Sequence, residues 1–189
     1  MNLKKINWFG LAGGIATLTL VALALIYASP WWQLSIGEDL GYAGISPLSF
    51  SSTILGSSMG IPLIFFINLS CQLSFIASAI AIIVYSVLPE KNYSKHLLGF
   101  AYKKPLITVI IFSVFIIGVS YAVQAMLKIN IPINGTSTTT LNLGAIEIIA
   151  PITAGFTWVF WLALIAAALC VAAKIYHKKI VQQPSKTRK

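Results

Sequence analysis

Acidic side chains are the scarcest feature of this 189-residue sequence, and charged side chains of either sign are few. Only 4 residues are Asp or Glu, 9% of all residues are charged, and 58% are hydrophobic. An ordinary soluble domain carries about 25% charged residues. The composition therefore excludes a water-soluble globular domain and predicts a membrane protein surrounded mostly by lipid.

Long stretches without any ionisable side chain make up most of the chain. Crossing about 30 Å of hydrocarbon takes roughly 20 helical residues. The sequence therefore predicts an all-α membrane protein, a single transmembrane domain of residues 1–189 with a four-helix bundle at about 8–28, 62–88, 105–127 and 148–175. Asp, Glu, Lys, Arg and His are absent from the first three ranges and from the fourth up to Ala173.

This absence limits the chemistry that the helices can support. Ion or proton coupling uses intramembrane ionisable residues, and a bis-His haem needs histidines within the bundle. His96 and His177 lie outside the predicted helices, while Cys71 and Cys170 lie inside them and supply no disulfide framework or zinc pattern. We therefore expect no enzyme activity, no cofactor and no metal.

Positive charge is distributed unevenly between the connections. Twelve of the 13 Lys and Arg residues fall in the N-terminal tail, in the connection 89–104, and in the C-terminal end with its basic tail 176–189. Lys and Arg in short loops stay on the cytoplasmic side, which predicts a multi-pass plasma-membrane protein with both termini inside and loops 29–61 and 128–147 extracellular. Because the +9 net charge lies in tails and one short loop, we expect no nucleic-acid partner.

The first extracellular loop shows the alternation of half-buried strands. Leu34 and Ile36 alternate with polar residues in WWQLSI, and Phe50 lies in a second alternating run, ISPLSFSSTIL. The intervening GEDLGYAG is rich in turn residues, and its acids Glu38 and Asp39 are expected to be solvated. The loop predicts two strands joined by a turn.

The second extracellular loop repeats the pattern. Ile129, Ile131 and Ile133 alternate up to Asn134-Gly135, and TSTTTLNL follows. Asn-Gly between two such runs predicts a β-hairpin with a type I′ turn, so the two loops together predict a small extracellular antiparallel β-sheet. Asn134 also begins the triplet NGT, which predicts an N-glycosylation site in an exposed turn.

Polar side chains occur within two of the predicted helices. Asn68 and Gln72 are four residues apart and share a helix face, and Tyr121 and Gln124 lie where they could answer them. Such groups commonly form interhelical hydrogen bonds that fix a bundle. A polar pathway for a solute or for protons is the alternative.

Small and acidic residues at helix positions have simple structural interpretations. Gly10 and Gly14 form a small-xxx-small pair that lets another helix approach closely, which predicts packing within the chain ahead of a dimer contact. Glu147 lies at the start of the fourth predicted helix, where the helix dipole stabilises an acid in the first turn.

Two adjacent tryptophans follow the first predicted helix. Trp31 and Trp32 are expected in the headgroup layer, with the ring buried and the N–H in water. Together with Pro30 and the strand-like QLSI, they give the chain an order of parts that resembles the claudin and peripheral-myelin-protein tetraspan families. The chain departs from claudins in lacking their Gly-Leu-Trp and the two cysteines that follow it.

The two external loops carry alternating apolar faces, and the conformational entropy lost on ordering such loops must be offset by burial. The Ile and Lys content, with external loops almost empty of ionisable groups, is also similar to that of four-helix proteins of thermoacidophilic archaea. Our leading expectation is a tetraspan protein in the lipid bilayer whose extracellular loops mediate self-association or contact with envelope or cell-surface partners. The alternatives are an accessory subunit of a larger respiratory, secretion or transport complex, and a transporter or enzyme that uses Asn68, Gln72 and Gln124.

Overall fold

A computed structural model describes residues 6–37, 40–89, 93–127, 129–142 and 147–181. The helices are α1 (Trp8–Tyr27), α2 (Pro62–Val87), α3 (Ser94–Ala101), α4 (Lys103–Leu127) and α5 (Trp158–Val181). The strands are β1 (Trp32–Ile36), β2 (Gly41–Ile45), β3 (Phe50–Ile54), β4 (Ser57–Ser58), β5 (Gly135–Asn142) and β6 (Glu147–Phe156). The acids Glu38 and Asp39 lie outside the described residues.

Four helical stretches in the described part of the chain are long and apolar enough to cross a membrane. They are Trp8–Tyr27, Pro62–Val87, Ser94–Met126 and Trp158–His177. The predicted number of helices that are long and apolar enough to span is thus confirmed, and the chain has the character of a multi-pass membrane-associated protein. Its first two helices match the predicted bounds to within one residue.

The predicted start of the fourth helix is wrong. Residues 147–156 form strand β6, and α5 begins only at Trp158. Pro151 cannot lie inside a helix, and the β-branched Ile148, Ile149, Ile152 and Thr153 favour a strand. Glu147 accordingly begins a strand and is not in a first helical turn.

The connection 89–104, predicted as a loop, contains the short helix α3. Pro105 has no N–H to give to the carbonyl of Ala101, four residues earlier, so the helix is interrupted between α3 and α4. The hydroxyl of Ser78 donates to that carbonyl instead, at 2.7 Å. A side chain of α2 therefore satisfies the acceptor that the proline leaves open.

The strands form one antiparallel sheet of six strands in the order β4-β3-β2-β1-β6-β5. Both predicted loops contribute to it, as expected. Strands β1 and β3 fall where alternation predicted strands, and β5 falls in the run TSTTTLNL, whose residues favour strands. The turn-rich segment after β1 also forms a strand, since Gly41–Ile45 pairs with β1 and β3. The sheet is therefore larger than the sequence predicted.

The predicted hairpin at Asn134-Gly135 is wrong. Strand β5 pairs with β6, and residues 129–133 are not a strand. Three carbonyls of this segment accept side-chain hydrogen bonds: that of Asn130 from Ser137 (2.7 Å), that of Ile131 from Ser120 (2.7 Å) and that of Ile133 from Trp32 (2.9 Å). These donors replace the ladder that a strand would need.

The chain divides into two compact units. The first comprises Met1–Ala22, Gln72–Val109 and Leu162–Lys189, and the second comprises Leu23–Cys71 and Ile110–Trp161. The second unit holds the whole sheet together with helix segments 23–27, 62–71, 110–127 and 158–161.

Close helix packing in the first unit depends on the glycines of α1. A Cβ on Gly10 would overlap the hydroxyl oxygen of Ser86, and one on Gly14 would lie 2.5 Å from a side-chain carbon of Ile83. A Cβ on Gly13 would meet Cys170 of α5 at 3.0 Å. The structure thus places Gly10 and Gly14 against α2 of the same chain, and Gly13 against α5.

The tight turn between β3 and β4 carries backbone strain that a substitution can relieve. Leu55 has φ +49° and Gly56 has φ +77°, the positive pair that a type I′ turn requires, and Leu55 is 73% exposed. A leucine in the left-handed region costs about 1–2 kcal/mol.

We expect Leu55→Asn to raise the free energy of unfolding by about 0.5–1 kcal/mol, measured by thermal unfolding in detergent. Ser57→Asn, one residue past the positive-φ pair, is the control and should change little; an equal gain from both would contradict the strain.

Candidate functional site

One face of the sheet carries its buried side chains and contacts α5. Its side chains include Trp32, Ile152, Ala154 and Phe156, and the Phe156 ring stacks on Phe160 of α5 at 4.3 Å between centroids. Successive residues of a strand point to opposite faces, so the partners matched in register place all of these on one side. This buried face fixes the sheet to the helices.

Trp31, which precedes β1, makes a second contact with helix residues of the same unit. Its ring is 1% exposed and meets Phe112 of α4 edge-on at 5.3 Å and Phe160 at 6.3 Å. Trp32 is also buried, and its indole N–H donates to the Ile133 carbonyl instead of to water. Placement of the tryptophan pair at the headgroup layer stays a prediction. The aromatic partners of Trp31 lie some 80 and 130 residues away in the chain.

Asn68 holds a loop of the sheet to α2. The Asn68 side chain is buried, and its amide is oriented so that nitrogen donates to the Pro47 carbonyl (3.2 Å) and oxygen accepts from the Phe50 N–H (3.1 Å). Tyr121 and Gln124, expected to answer it, are both exposed. The sequence predicted that Asn68 would bond another helix or line a polar pathway. In the structure its amide bonds the backbone of Pro47 in the β2–β3 loop and of Phe50 at the start of β3.

The β2–β3 loop is also held by hydrogen bonds of its serine hydroxyl groups. The Ser46 hydroxyl accepts from the backbone N–H groups of Leu48 (3.1 Å) and Ser49 (2.8 Å), and the Ser49 hydroxyl donates to the Ser29 carbonyl at 3.1 Å. Leu48, in the same loop, is fully buried.

Gln72, four residues after Asn68, is half-buried on α2.

The opposite face of the sheet is exposed on β5 and β6, half-buried over most of the other strands, and rich in hydroxyl groups. We call it the hydroxyl face; by register it carries Gln33, Ser35, Tyr42, Ser51, Thr53, Thr136, Thr138, Thr140 and Thr153. Thr136 and Thr153 are cross-strand neighbours with their hydroxyl oxygens 3.3 Å apart. No charged residue occurs among the side chains that the structure describes in the second unit. The described side chains of this face can accept and donate hydrogen bonds, and none of them is charged.

The free edge of β5 is the second distinctive part of the sheet. In β6 the Pro151 carbonyl accepts from Gly37, beyond the end of β1, which shows that odd-numbered residues of β6 direct their backbone groups toward β1. The even-numbered residues of β6 therefore bond β5 through Gly135, Ser137 and Thr139. The N–H and C=O groups of Thr136, Thr138 and Thr140 consequently point to the open edge.

Asn134 and Gly135 lie just before β5. Asn134 is exposed, and its Oδ1 would lie 2.7 Å from a Cβ placed on Gly155, so the side chain covers that glycine. Gly135 has φ +120°, outside the range of a type I′ turn. Glycosylation of Asn134 stays a prediction.

Sequence reasoning missed Pro151, Thr153 and the free backbone groups of β5. The signal was present in EIIAPITAGF, where buried Ala150, Ile152 and Ala154 alternate with exposed residues. All members of this run except Thr153 and Glu147 are small or apolar, so it resembles a helix that faces lipid. No group of three or more His, Cys, Asp or Glu able to hold a metal occurs in the residues that the structure covers.

Comparisons with models of protein families, with curated proteins and with solved structures find no match to this chain.

Proposed function

We propose that this chain is a non-enzymatic four-span protein of the plasma membrane whose external sheet contacts another macromolecule. That macromolecule is a second copy of the chain or a component of the envelope or a cell surface. The observation that carries the proposal is a six-stranded sheet whose one face carries buried side chains, while the opposite face is partly exposed and has no charge among its described side chains. A surface that only faces water usually carries about 25–35% charged residues, whereas the centres of protein interfaces are depleted in charge.

The charge distribution supports placing the sheet outside. Lys95, Lys103, Lys104 and Lys174 are exposed in the first unit, and the sheet belongs to the second. If all four long helices span, the connection 89–104 lies on the side opposite to the connections that build the sheet. The positive-inside rule then assigns the lysines to the cytoplasm and the sheet to the exterior.

Single cysteine variants test both the side and the contact. We expect a membrane-impermeant maleimide to label Thr153→Cys in intact cells and to label Lys104→Cys only after permeabilisation, because Thr153 is exposed on the hydroxyl face and Lys104 follows α3. Wild type, with Cys170 buried and Cys71 half-buried, is the labelling blank. Labelling of both variants from the same side would contradict the topology.

The contact is tested by attaching a polyethylene glycol maleimide to the same variants before gentle solubilisation. The polymer on Thr153→Cys should remove self-association and co-purifying envelope proteins, since it covers the hydroxyl face and the neighbouring β5 edge, and the polymer on Lys104→Cys should remove neither. An unchanged assembly after modification of Thr153→Cys would refute the proposal. Stoichiometric redox or transport subunits that stay bound would instead support an accessory subunit.

A further inference from the structure

We propose that strand β5 pairs edge to edge with β5 of a second copy in the same membrane, so that two sheets become one continuous sheet. The inference rests on the proposed function and names the partner for one part of the sheet. It uses backbone groups of β5 and not the hydroxyl side chains. The contact is therefore distinct from docking onto the hydroxyl face.

The two ends of the sheet differ in their capacity to pair. Strand β5 has eight residues, and β4 at the other end has two. Thr136, Thr138 and Thr140 place their N–H and C=O groups on the open side of β5, and antiparallel pairing with an identical strand would satisfy them with about six backbone hydrogen bonds. Only β5 offers a row of such groups.

Strand β5 also lacks the features by which end strands usually avoid pairing. Proteins protect sheet edges with Lys, Pro, bulges or inward-pointing charges. The segment GTSTTTLN contains none of these residue types, and threonine, its commonest residue, favours strands. The edge is long, regular and uncharged.

Identity of the partner follows from charge and symmetry. Because β5 has no charged residue, an identical strand meets no like-charge repulsion on pairing. Two antiparallel copies are related by a two-fold axis perpendicular to the sheet, so both buried faces lie on the same side. The helix residues attached to those faces, among them Phe160, then also lie on one side, as two copies in one membrane require.

Substitution of Thr138 distinguishes the contribution of the β5 backbone to pairing from that of its side chains. We expect Thr138→Pro to abolish the dimer, because proline removes an outward N–H while β5 keeps its bonds to β6, which use residues 135, 137 and 139. Thr138→Val removes the hydroxyl, keeps the N–H and should leave the dimer intact. Oligomeric mass would be measured in native-lipid nanodiscs, with melting temperature as the check on folding.

Cross-linking provides a measurement that does not depend on the proline variant. A bismaleimide with a span of about 8–10 Å should join two copies of Thr138→Cys, since opposite or diagonal residues of paired strands lie within about 8 Å. Thr53→Cys, on the same face but separated from β5 by three strands, should give no such product.

The inference would be overturned by a monomeric wild type, by a Thr138→Pro variant that stays dimeric, or by equal cross-linking at Thr53 and Thr138. A different protein bound at the β5 edge would also overturn it. If the polymer on Thr153→Cys still displaces partners in any of these cases, the proposed function stands and only the identity of the edge partner falls. If the polymer displaces nothing, both fall.

Discussion

Replacing Trp31 with alanine is expected to cause the largest loss of stability of any single substitution considered. The ring is 1% exposed and packs on Phe112 and Phe160, so its removal leaves a cavity where the sheet joins the helix residues of the second unit. Large-to-small substitution of a buried aromatic costs about 3–5 kcal/mol. In a chain of this length the melting temperature should fall by roughly 10 °C.

The matched control is another tryptophan of the same unit. Trp158 is exposed at the start of α5, and Trp158→Ala should change the melting temperature by only a few degrees. Trp31→Phe should lie between the two because it fills part of the space. Equal effects of Trp31→Ala and Trp158→Ala would contradict the role of Trp31 as the attachment of the sheet.

Replacing Asn7 with alanine is the second substitution with a large expected effect. Asn7 is fully buried before α1, its side-chain oxygen accepts from the Gly10 N–H at 3.2 Å, and its nitrogen donates to the Tyr85 hydroxyl (3.0 Å) and to the Ala173 carbonyl (2.9 Å). The substitution removes a helix N-cap and two bonds to other helices. Together these predict a loss of about 2–4 kcal/mol.

Two further variants separate the cap from the bonds to α2 and α5. Asn7→Ser can still cap α1 but is too short to reach Tyr85 and Ala173, so its loss should be intermediate. Tyr85→Phe removes only the hydroxyl and should cost about 1 kcal/mol. If denaturant titration found Asn7→Ala as stable as the wild type, Asn7 would not join α1 to its neighbours.

The positions of the helices could be predicted from the sequence because the absence of ionisable residues is a local feature, visible in each segment without knowledge of its partners. Strands β1 and β3 were predictable for the same reason, since alternation of polar and apolar residues is local. Strand β5 was predictable from its threonines, which favour strands. Strand β2 was missed because Gly41 and Gly44 hide its alternation. Strand β6 was missed because apolar residues on both faces look like part of a helix, and only Pro151 signalled otherwise.

The partners of the polar and aromatic residues depended on distant parts of the chain. Asn68 was expected to bond other helices, yet its amide bonds Pro47 and Phe50. Asn134-Gly135 has the sequence of a type I′ turn without the structure, and Leu55-Gly56 has the positive φ angles without the usual sequence. In both cases the neighbouring strands decided the turn, and a two-residue motif does not contain that information.

The unequal lengths of the two end strands limit how many copies of the chain can join one sheet by strand pairing. A sheet open at both ends can recruit copies without end and produce a filament, as head-to-tail contacts do when the rotation does not close. Here the two-residue β4 leaves one end nearly closed, and only the eight-residue β5 is left to join. Pairing of β5 with β5 would therefore stop at two chains and would not propagate into a filament.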